Sequence, residues 1–185
     1  MCGRYSLFTA PEELEARFDA RFAYEFEPRY NAAPSQELPV ITATASDTIQ
    51  RLEWGFVPRW ADDGKRPYRV ALEDDRPFAM AGLWERWTPD TVQTGLGSFG
   101  GDSPGADPDP VDTFTILTTE SNAVVEPLHH RMAVVLEPDR ETAWLEEADV
   151  PLEPAPADDF RAYPVSTAVN DPSNDRPGLV REVDA

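Results

Sequence analysis

Cysteine, lysine, histidine and long apolar runs are all scarce in this chain of 185 residues. Its one cysteine, Cys2, excludes an internal disulfide, and with only two histidines the chain cannot build a zinc site of cysteine and histidine ligands. No stretch reaches the roughly 18 apolar residues of a membrane span. The first residues, MCGRYSLF, do not resemble a secretory signal. We therefore expect a cytoplasmic protein, monomeric or weakly associating, without membrane, metal or cofactor.

Acidic residues dominate the charge. There are 35 Asp and Glu against 16 Lys and Arg, which gives a net charge of −19, and Lys65 is the only lysine. At molar salt the Debye length falls to about 3 Å, so self-repulsion on such a surface is screened. The composition favours an extreme halophile over an acidic protein of a mesophile. It also argues against a general nucleic-acid coat protein, although a local arginine patch could still bind DNA.

The hydrophobic pattern predicts a single α+β domain over residues 1–185, with mainly antiparallel strands. A capping box at Thr9 and Glu12 predicts a helix over 9–22, and Pro138 predicts a second helix to about Glu147. Residues 28–36 read as a loop. Predicted strands are 38–44 and 48–57 joined at Ser46-Asp47, 68–73 and 77–85 as a hairpin, 113–119 and 132–136, and residues 160–169 end the ordered part. Residues 88–112 are predicted to be a disordered insertion, and the acidic, proline-rich stretch 149–159 to be loose.

Cys2 offers the most specific chemistry. Removal of Met1 would expose a cysteine whose α-amine and thiol lie on adjacent carbons. An α-amine has a pKa near 7.7–8.0, so about a tenth of it is neutral and nucleophilic at pH 7. Such an aminothiol condenses with aldehydes, first to a Schiff base and then to a thiazolidine ring. The alternative is a second-position cysteine without a role.

Histidine, tryptophan and arginine supply the other candidates. His129 and His130 precede an apolar strand, and because neighbours on an extended chain point to opposite sides, only one of them should face a given site. A histidine there could move protons, or the pair could be inert surface. Trp60 could stack on an exposed base or serve packing. Arg4, Arg29, Arg59 and Arg131 could contact phosphates or pair with the many carboxylates.

Several motifs occur together in one order: MCGRY, PRYNAAPSQ, LEWGFVPRWA, FAMAGLWERW, TFTILTTESN, LHHRMAVVL and YPVSTAVN. Over nearly the whole chain they resemble the SRAP family, the SOS-response-associated peptidases or abasic-site processing proteins. The resemblance implies a distorted antiparallel β-barrel with flanking helices and a groove for single-stranded DNA. It also implies a nucleoid-associated DNA-damage protein that captures abasic sites as a covalent thiazolidine crosslink.

The resemblance also implies residue roles. Cys2 would be the nucleophile, and His129 the acid/base that assists opening of the sugar ring and reversal of the crosslink. Arg4, Asn31, Trp60 and Arg131 match positions that line the DNA groove, while His130 receives no role. A peptidase activity would be limited to self-processing, that is, removal of Met1. The enzyme class would then combine a lyase-like crosslinking reaction with hydrolysis of one peptide bond.

One stretch departs from the family pattern. Family members carry several dozen residues between the WGxxPxWA motif and the next strand, with an Asn-Ala-Arg motif and an Asp-Gly-Phe-Tyr-Glu-Trp-like motif. Here WADD (60–63) runs directly into GKRPY (64–68), so both motifs are missing. An internal deletion would leave the barrel incomplete and the chemistry impaired; alternatively, neighbouring segments are rearranged to compensate. A single-stranded-DNA binder without catalysis is therefore the rival function.

Overall fold

Short strands make up most of the regular secondary structure of the described residues. The computed structural model describes residues 3–55, 66–88, 110–148 and 150–184. Within these ranges lie two α-helices, α1 (Pro11–Phe18) and α2 (Pro138–Glu147). The strands are β1 (Tyr5–Leu7), β2 (Arg21–Phe22), β3 (Arg29–Ala32), β4 (Glu37–Thr42), β5 (Ala45–Trp54), β6 (Tyr68–Leu72), β7 (Ala79–Met80), β8 (Gly82–Trp87), β9 (Val111–Ile116), β10 (Thr118–Glu120), β11 (Arg131–Ala133), β12 (Val135–Leu136) and β13 (Phe160–Pro164).

The largest sheet is built around β5, the longest strand. β4 lies antiparallel to β5 with Leu38 opposite Leu52, and β9 lies parallel to it with Phe114 beside Trp54. β2 also pairs with β5, and β8 continues the sheet from β9. Alternate residues of these strands point to one face, where Leu38, Leu52, Trp54 and Phe114 pack with Ala32 of β3 into a buried cluster. Burial of this face holds the register of the sheet.

The remaining strands form four two-stranded pairs: β1 with β3, β6 with β13, β7 with β12, and β10 with β11. The α+β composition is confirmed, and most pairs are antiparallel. The predicted barrel, distorted and incomplete, does not close: the described strands form separate sheets, and a barrel requires an unbroken ring of hydrogen-bonded neighbours. β8 is the last strand at one end of its sheet among the described residues.

The first helix is shorter than predicted, whereas the second has the predicted bounds. α1 begins after Ala10, and no side chain caps it, so the predicted capping box does not form. The helix stops because Asp19 adopts the left-handed conformation, and the chain then enters β2, which carries Phe22. The helical stripe therefore ends at Phe18. Arg17 of α1 binds Glu141 of α2 through two hydrogen bonds of 2.7 and 3.0 Å.

Three predictions about the strands are wrong, and two of them fail because β3 and β6 pair with strands that are not their sequence neighbours. Residues 68–73 and 77–85 do not form a hairpin: β6 pairs along its whole length with β13, and β8 pairs with β9. The chain turns away after β6 at Asp75, which has a left-handed backbone. The predicted loop 28–36 contains β3, since β1 provides it with an antiparallel partner. The β4–β5 turn lies at residues 43–44, before the predicted Ser46-Asp47.

The two segments predicted to lack structure differ from each other. Of the predicted insertion 88–112, residues 111–112 already belong to β9, and 89–109 lie outside the described residues. The described part of 149–159 contains no strand, but Ala155 is buried and residues 157–159 form a 3₁₀ turn leading into β13. None of the helices in the described ranges is long and apolar enough to cross a membrane.

Candidate functional site

The N-terminal strand carries the first cluster of candidate residues. β1 pairs with β3 with Tyr5 opposite Ala32, and the Tyr5 ring packs at 5.6 Å from the ring of Trp54 in the core. This anchoring places Arg4 beside Asn31. The Arg4 guanidinium donates from Nη1 to Oδ1 of Asn31 and from Nη2 to the carbonyl of Asn170, each over 3.1 Å. The residue that follows Cys2 and Gly3 in the chain is therefore held at two points.

Asn31 is one of the most completely buried polar residues, with 1% of its surface exposed. Its Nδ2 lies 3.1, 3.0 and 2.8 Å from the carbonyl oxygens of Val169, Asp171 and Asn174. The amide nitrogen of Asn31 thus contacts three carbonyl groups within residues 169–174, while its oxygen accepts a hydrogen bond from Arg4 and orients that side chain.

Asp175 also binds the region around Asn31, through the backbone of β3. Its Oδ1 accepts the backbone N–H groups of Tyr30 at 2.6 Å and Asn31 at 3.1 Å, and its Oδ2 lies 3.3 Å from Nη1 of Arg29. Arg29 is therefore paired with a carboxylate within the protein, which is the alternative that its sequence left open. Charge-assisted bonds of this kind are stronger than neutral ones, so Asp175 fixes β3 to the C-terminal part of the chain.

A second cluster lies at the segment LHHRM. The side chain of Asn122 accepts the N–H groups of Val124 and Val125 and donates to the carbonyl of Ala155 at 3.0 Å. The turn that it stabilises ends at His129, whose N–H donates to the carbonyl of Val125 at 2.9 Å. Asn122 therefore sets the position of His129 on the protein.

His129 meets the backbone of Arg131 through one ring nitrogen. Nδ1 lies 3.0 Å from both the N–H and the carbonyl oxygen of Arg131. A neutral ring can accept the N–H there, and a ring protonated at Nδ1 can donate to the carbonyl. The ring can thus keep its place in either protonation state, as an acid/base residue requires.

The two histidines do not point to opposite sides. Their rings are stacked with centroids 4.4 Å apart and planes inclined by 23°. The prediction assumed an extended chain, but residues 123–128 form a turn, and β11 begins only at Arg131. His129 is partly buried while His130 is exposed. Arg131 itself is anchored by Thr118, since its Nη2 donates to both the carbonyl and the hydroxyl of that residue.

Both clusters line one extended cavity, called the groove below. It has a volume of about 1710 Å³ and reaches into the core beside Leu14 and Phe160, and its lining also includes Arg4, Asn170, His129 and Arg131. Asn31 lies behind this lining and not in it. Three candidate residues, Cys2, Arg59 and Trp60, lie outside the described residues. Among the described residues there is no group of three or more acidic, histidine or cysteine side chains that could hold a metal ion.

Burial and the charge of a neighbouring residue shift the pKa of Arg4 in opposite directions. Burial lowers the pKa of its guanidinium, and the nearby carboxylate of Asp171 offsets part of that effect. The Asp171 carboxylate accepts the Ser173 backbone N–H at 2.9 Å and its hydroxyl at 2.7 Å. These hydrogen bonds, and then the charge of Arg4, hold the pKa of Asp171 below its ordinary value. The arginine therefore faces the groove with a counter-charge beside it.

Several residues of the site were not foreseen. Asn122 stabilises the turn that ends at His129, Asp171 places a negative charge near Arg4, and Asp175 binds the backbone of β3. Each of these contacts is made with a backbone group or with a residue that lies far away in the sequence. Asp171-Pro-Ser is a turn signal, and Asn or Asp before a turn commonly binds nearby backbone groups. That signal could have indicated the turn, but not the side chain packed against it.

The family model described as SOS response associated peptidase (SRAP) matches residues 1–65 and 61–172. The Bacillus subtilis abasic site processing protein YoqW is 29% identical over a 238-residue alignment that covers 97% of this chain and 99% of that protein. The Gallus gallus abasic site processing protein HMCES is 35% identical over 123 residues, which are 62% of this chain and 37% of that protein. A crystal structure of a Bacteroides thetaiotaomicron protein superimposes with a TM-score of 0.73 at 19% identity, over 98% of this chain and all of that one, and so has the same fold.

Proposed function

Since the chain belongs to the SOS response associated peptidase (SRAP) family, we propose that it processes abasic sites in DNA as part of the response to DNA damage. The names of its relatives in Bacillus subtilis and Gallus gallus support this activity. One observation connects this activity with particular residues of the chain. Gly3 and Arg4 near the start of the chain, and His129 with Arg131 far along it, line one groove.

The proposed reaction uses the N-terminal cysteine of a chain that has lost Met1. The ring-opened sugar of an abasic site presents an aldehyde. The neutral α-amine of Cys2 adds to that carbon, a water molecule leaves, and a Schiff base results. The thiol sulfur then adds to the same carbon while its proton passes to the nitrogen, which closes the thiazolidine. No redox partner or metal is needed for this balance.

His129 is proposed to carry the protons. Opening the sugar ring requires a proton on the ring oxygen, and loss of water requires a proton on the departing hydroxyl. A neutral histidine becomes charged near physiological pH and can both take and return a proton. The contacts of Nδ1 with the Arg131 backbone orient the ring in both states, and Nε2 is the nitrogen that we propose to exchange the proton.

Single-stranded DNA is the proposed partner. Arg4 and Arg131 would meet phosphate groups on the groove wall, and Trp60 would stack on a base. A backbone phosphate has a charge opposite to these two arginines, although the chain as a whole carries −19. For the same reason we expect general binding to be weak and capture to depend on stacking and on the covalent bond, most of all in molar KCl.

We also propose that this chain lacks an internal segment between Asp63 and Gly64. Two observations support it: the two family matches meet at residues 61–65, and the 238-residue alignment with the YoqW protein is longer than the whole chain. The missing motifs include the family's catalytic glutamate, so capture should be slow. A chimera with the family segment inserted at this point should crosslink faster and melt at a higher temperature. Equal rates and equal melting temperatures would contradict the deletion.

A second candidate function is non-catalytic binding of single-stranded DNA, and the absence of the two motifs from the sequence favours it. The deciding experiment incubates the full chain with an abasic single-stranded oligonucleotide in molar KCl and analyses it on a denaturing gel. We expect a denaturant-resistant species with the wild type and none with Cys2→Ala. Equal yields from both would refute the cysteine mechanism, and binding without any crosslink would support the second candidate.

Self-processing is the peptidase activity that we propose. It is limited to cleavage after Met1, which frees the Cys2 amine. The mass of the N-terminus, measured after expression with and without a host methionine aminopeptidase, tests it. Full removal of Met1 in both hosts supports self-processing, whereas retention in the deficient host assigns the cleavage to the aminopeptidase.

A further inference from the structure

We propose that Asn31 is a positioning residue, which binds the C-terminal turn segment (residues 167–175) to the N-terminal strand and thereby aims the Arg4 guanidinium at a phosphate of the DNA strand. The inference rests on the proposed function in one respect, namely that DNA lies in the groove next to Arg4. It assigns Asn31 a role different from the direct DNA contact that the sequence predicts.

The contacts of Asn31 favour support over contact with DNA. Both hydrogens of its amide face carbonyls of the C-terminal turn segment, all within 3.1 Å, and its oxygen faces Arg4. With 1% of its surface exposed, the residue lies beneath the groove. A phosphate could reach this amide only after those bonds had broken, and a buried carbonyl that loses its donor is costly.

Arg4 is the group that gains from this arrangement. An arginine side chain is long and has many rotamers, so a phosphate contact made by a free arginine loses much of that freedom on binding. Here the two hydrogen bonds to Asn31 and to the Asn170 carbonyl fix the guanidinium before DNA arrives. Both acceptors depend on Asn31, since the turn that presents the Asn170 carbonyl is itself held by the Asn31 amide.

Asp171 places a negative charge close to the Arg4 guanidinium. Its carboxylate interacts with Arg4 through space and would repel an arriving phosphate. Asp171 is exposed and bonded to Ser173, so its side chain can be changed without disturbing the core. The neighbouring Asp175 differs, because it is paired with Arg29 and with two backbone N–H groups of β3.

The test is the salt dependence of DNA binding. Binding of the full-length protein to a labelled single-stranded oligonucleotide without an abasic site is measured by fluorescence anisotropy at several KCl concentrations. Each phosphate contact contributes about 0.7 to the slope of log affinity against log salt for single strands. Arg4→Gln should lower this slope by about 0.7, and Asn31→Ala should lower it by a similar amount although no charge is removed.

The double variant separates positioning from an independent contact. If Asn31 acts through Arg4, the pair Arg4→Gln and Asn31→Ala should bind no more weakly than Arg4→Gln alone. Fully additive losses, or an unchanged slope in Asn31→Ala, would overturn the proposal. Thr42→Val is the matched control: it also removes a buried hydrogen-bonding group, the hydroxyl that accepts from Gln50 at 2.9 Å. It should lower the melting temperature and leave the slope as in the wild type.

Two milder variants guard against a failure of Asn31→Ala to fold. Asn174→Ala removes the 3.0 Å hydrogen bond to the Ala168 carbonyl, which lies within the C-terminal turn segment, and so loosens that segment. It should lower the slope by less than Asn31→Ala does. Asp171→Asn should tighten binding. No change in either variant would overturn the inference. The same proteins, tested for capture of an abasic oligonucleotide, show separately whether the proposed function holds, because the anisotropy assay involves no covalent step.

Discussion

Trp54 and Trp87 offer the same substitution in two environments. Trp54 is 4% exposed, and its ring lies 5.6 Å from that of Tyr5 and 6.1 Å from that of Phe114. Trp87, at the end of β8, is 56% exposed. We predict that Trp54→Ala destabilises the protein far more than Trp87→Ala, since the two changes remove the same atoms and differ only in what surrounds them.

The burial sets the size of the difference. An aromatic side chain buries 150–250 Å², which at about 25 cal/mol per Å² corresponds to about 4–6 kcal/mol for full burial. Measured truncations of buried Phe and Trp lie at about 3–5 kcal/mol, and we expect Trp54→Ala to fall there. Trp87 is 56% exposed, so the same conversion gives about 2 kcal/mol for its truncation. The difference of about 2 kcal/mol corresponds to about 4–8 °C in melting temperature.

The measurement is thermal and urea unfolding followed by far-ultraviolet circular dichroism, because tryptophan fluorescence changes with the substitutions themselves. Both variants are compared at one KCl concentration. Equal losses of stability would refute the reasoning, since they would mean that Trp87 is as well packed as Trp54. A further consequence follows for Trp54→Ala: β1 loses the contact between Tyr5 and Trp54, so capture of abasic DNA by the folded fraction should also slow.

The other predictions concern single contacts. His129→Gln can still hydrogen-bond but cannot relay a proton near neutral pH, so single-turnover crosslinking should slow by about 10²–10⁴-fold with unchanged DNA binding; an unchanged rate would remove His129 from the chemistry. Trp60→Ala should reduce capture in molar KCl, because base stacking is worth about 1–3 kcal/mol and survives salt; equal capture would contradict the stacking role. Arg17→Ala and Glu141→Gln, combined in a double-mutant cycle by urea unfolding, should show a coupling of about 1 kcal/mol, and zero coupling would mean that the pair does not join α1 to α2.

Local signals in the sequence were sufficient for some features. Pro138 at the start of a helical pattern predicted α2 with its observed bounds, because helix initiation depends on residues within one turn. The α+β class also followed from the spacing of apolar residues, and the order of short motifs from MCGRY to YPVSTAVN identified the family. The charge of −19 needed no structure at all.

The capping box of α1 shows the limit of such signals. Thr9 and Glu12 have the required spacing, yet the helix begins after Ala10 and no side chain caps it. The predicted helix was also too long, because Phe22, the last residue of its apolar stripe, lies in β2 and pairs with β5. Pairing with a distant strand can outweigh a preference that acts over three or four residues.

Strand partners and the supports of the site were decided only by the tertiary structure. β6 pairs with β13 and β3 with β1, and neither partner can be inferred from the strand's own residues, since any exposed backbone edge offers the same donors and acceptors. Asn31 could be recognised as a candidate from its motif. Its role depends on three carbonyls of the C-terminal turn segment that lie far away in sequence. A buried amide takes its function from the groups that folding packs around it, and those groups are set by the whole chain.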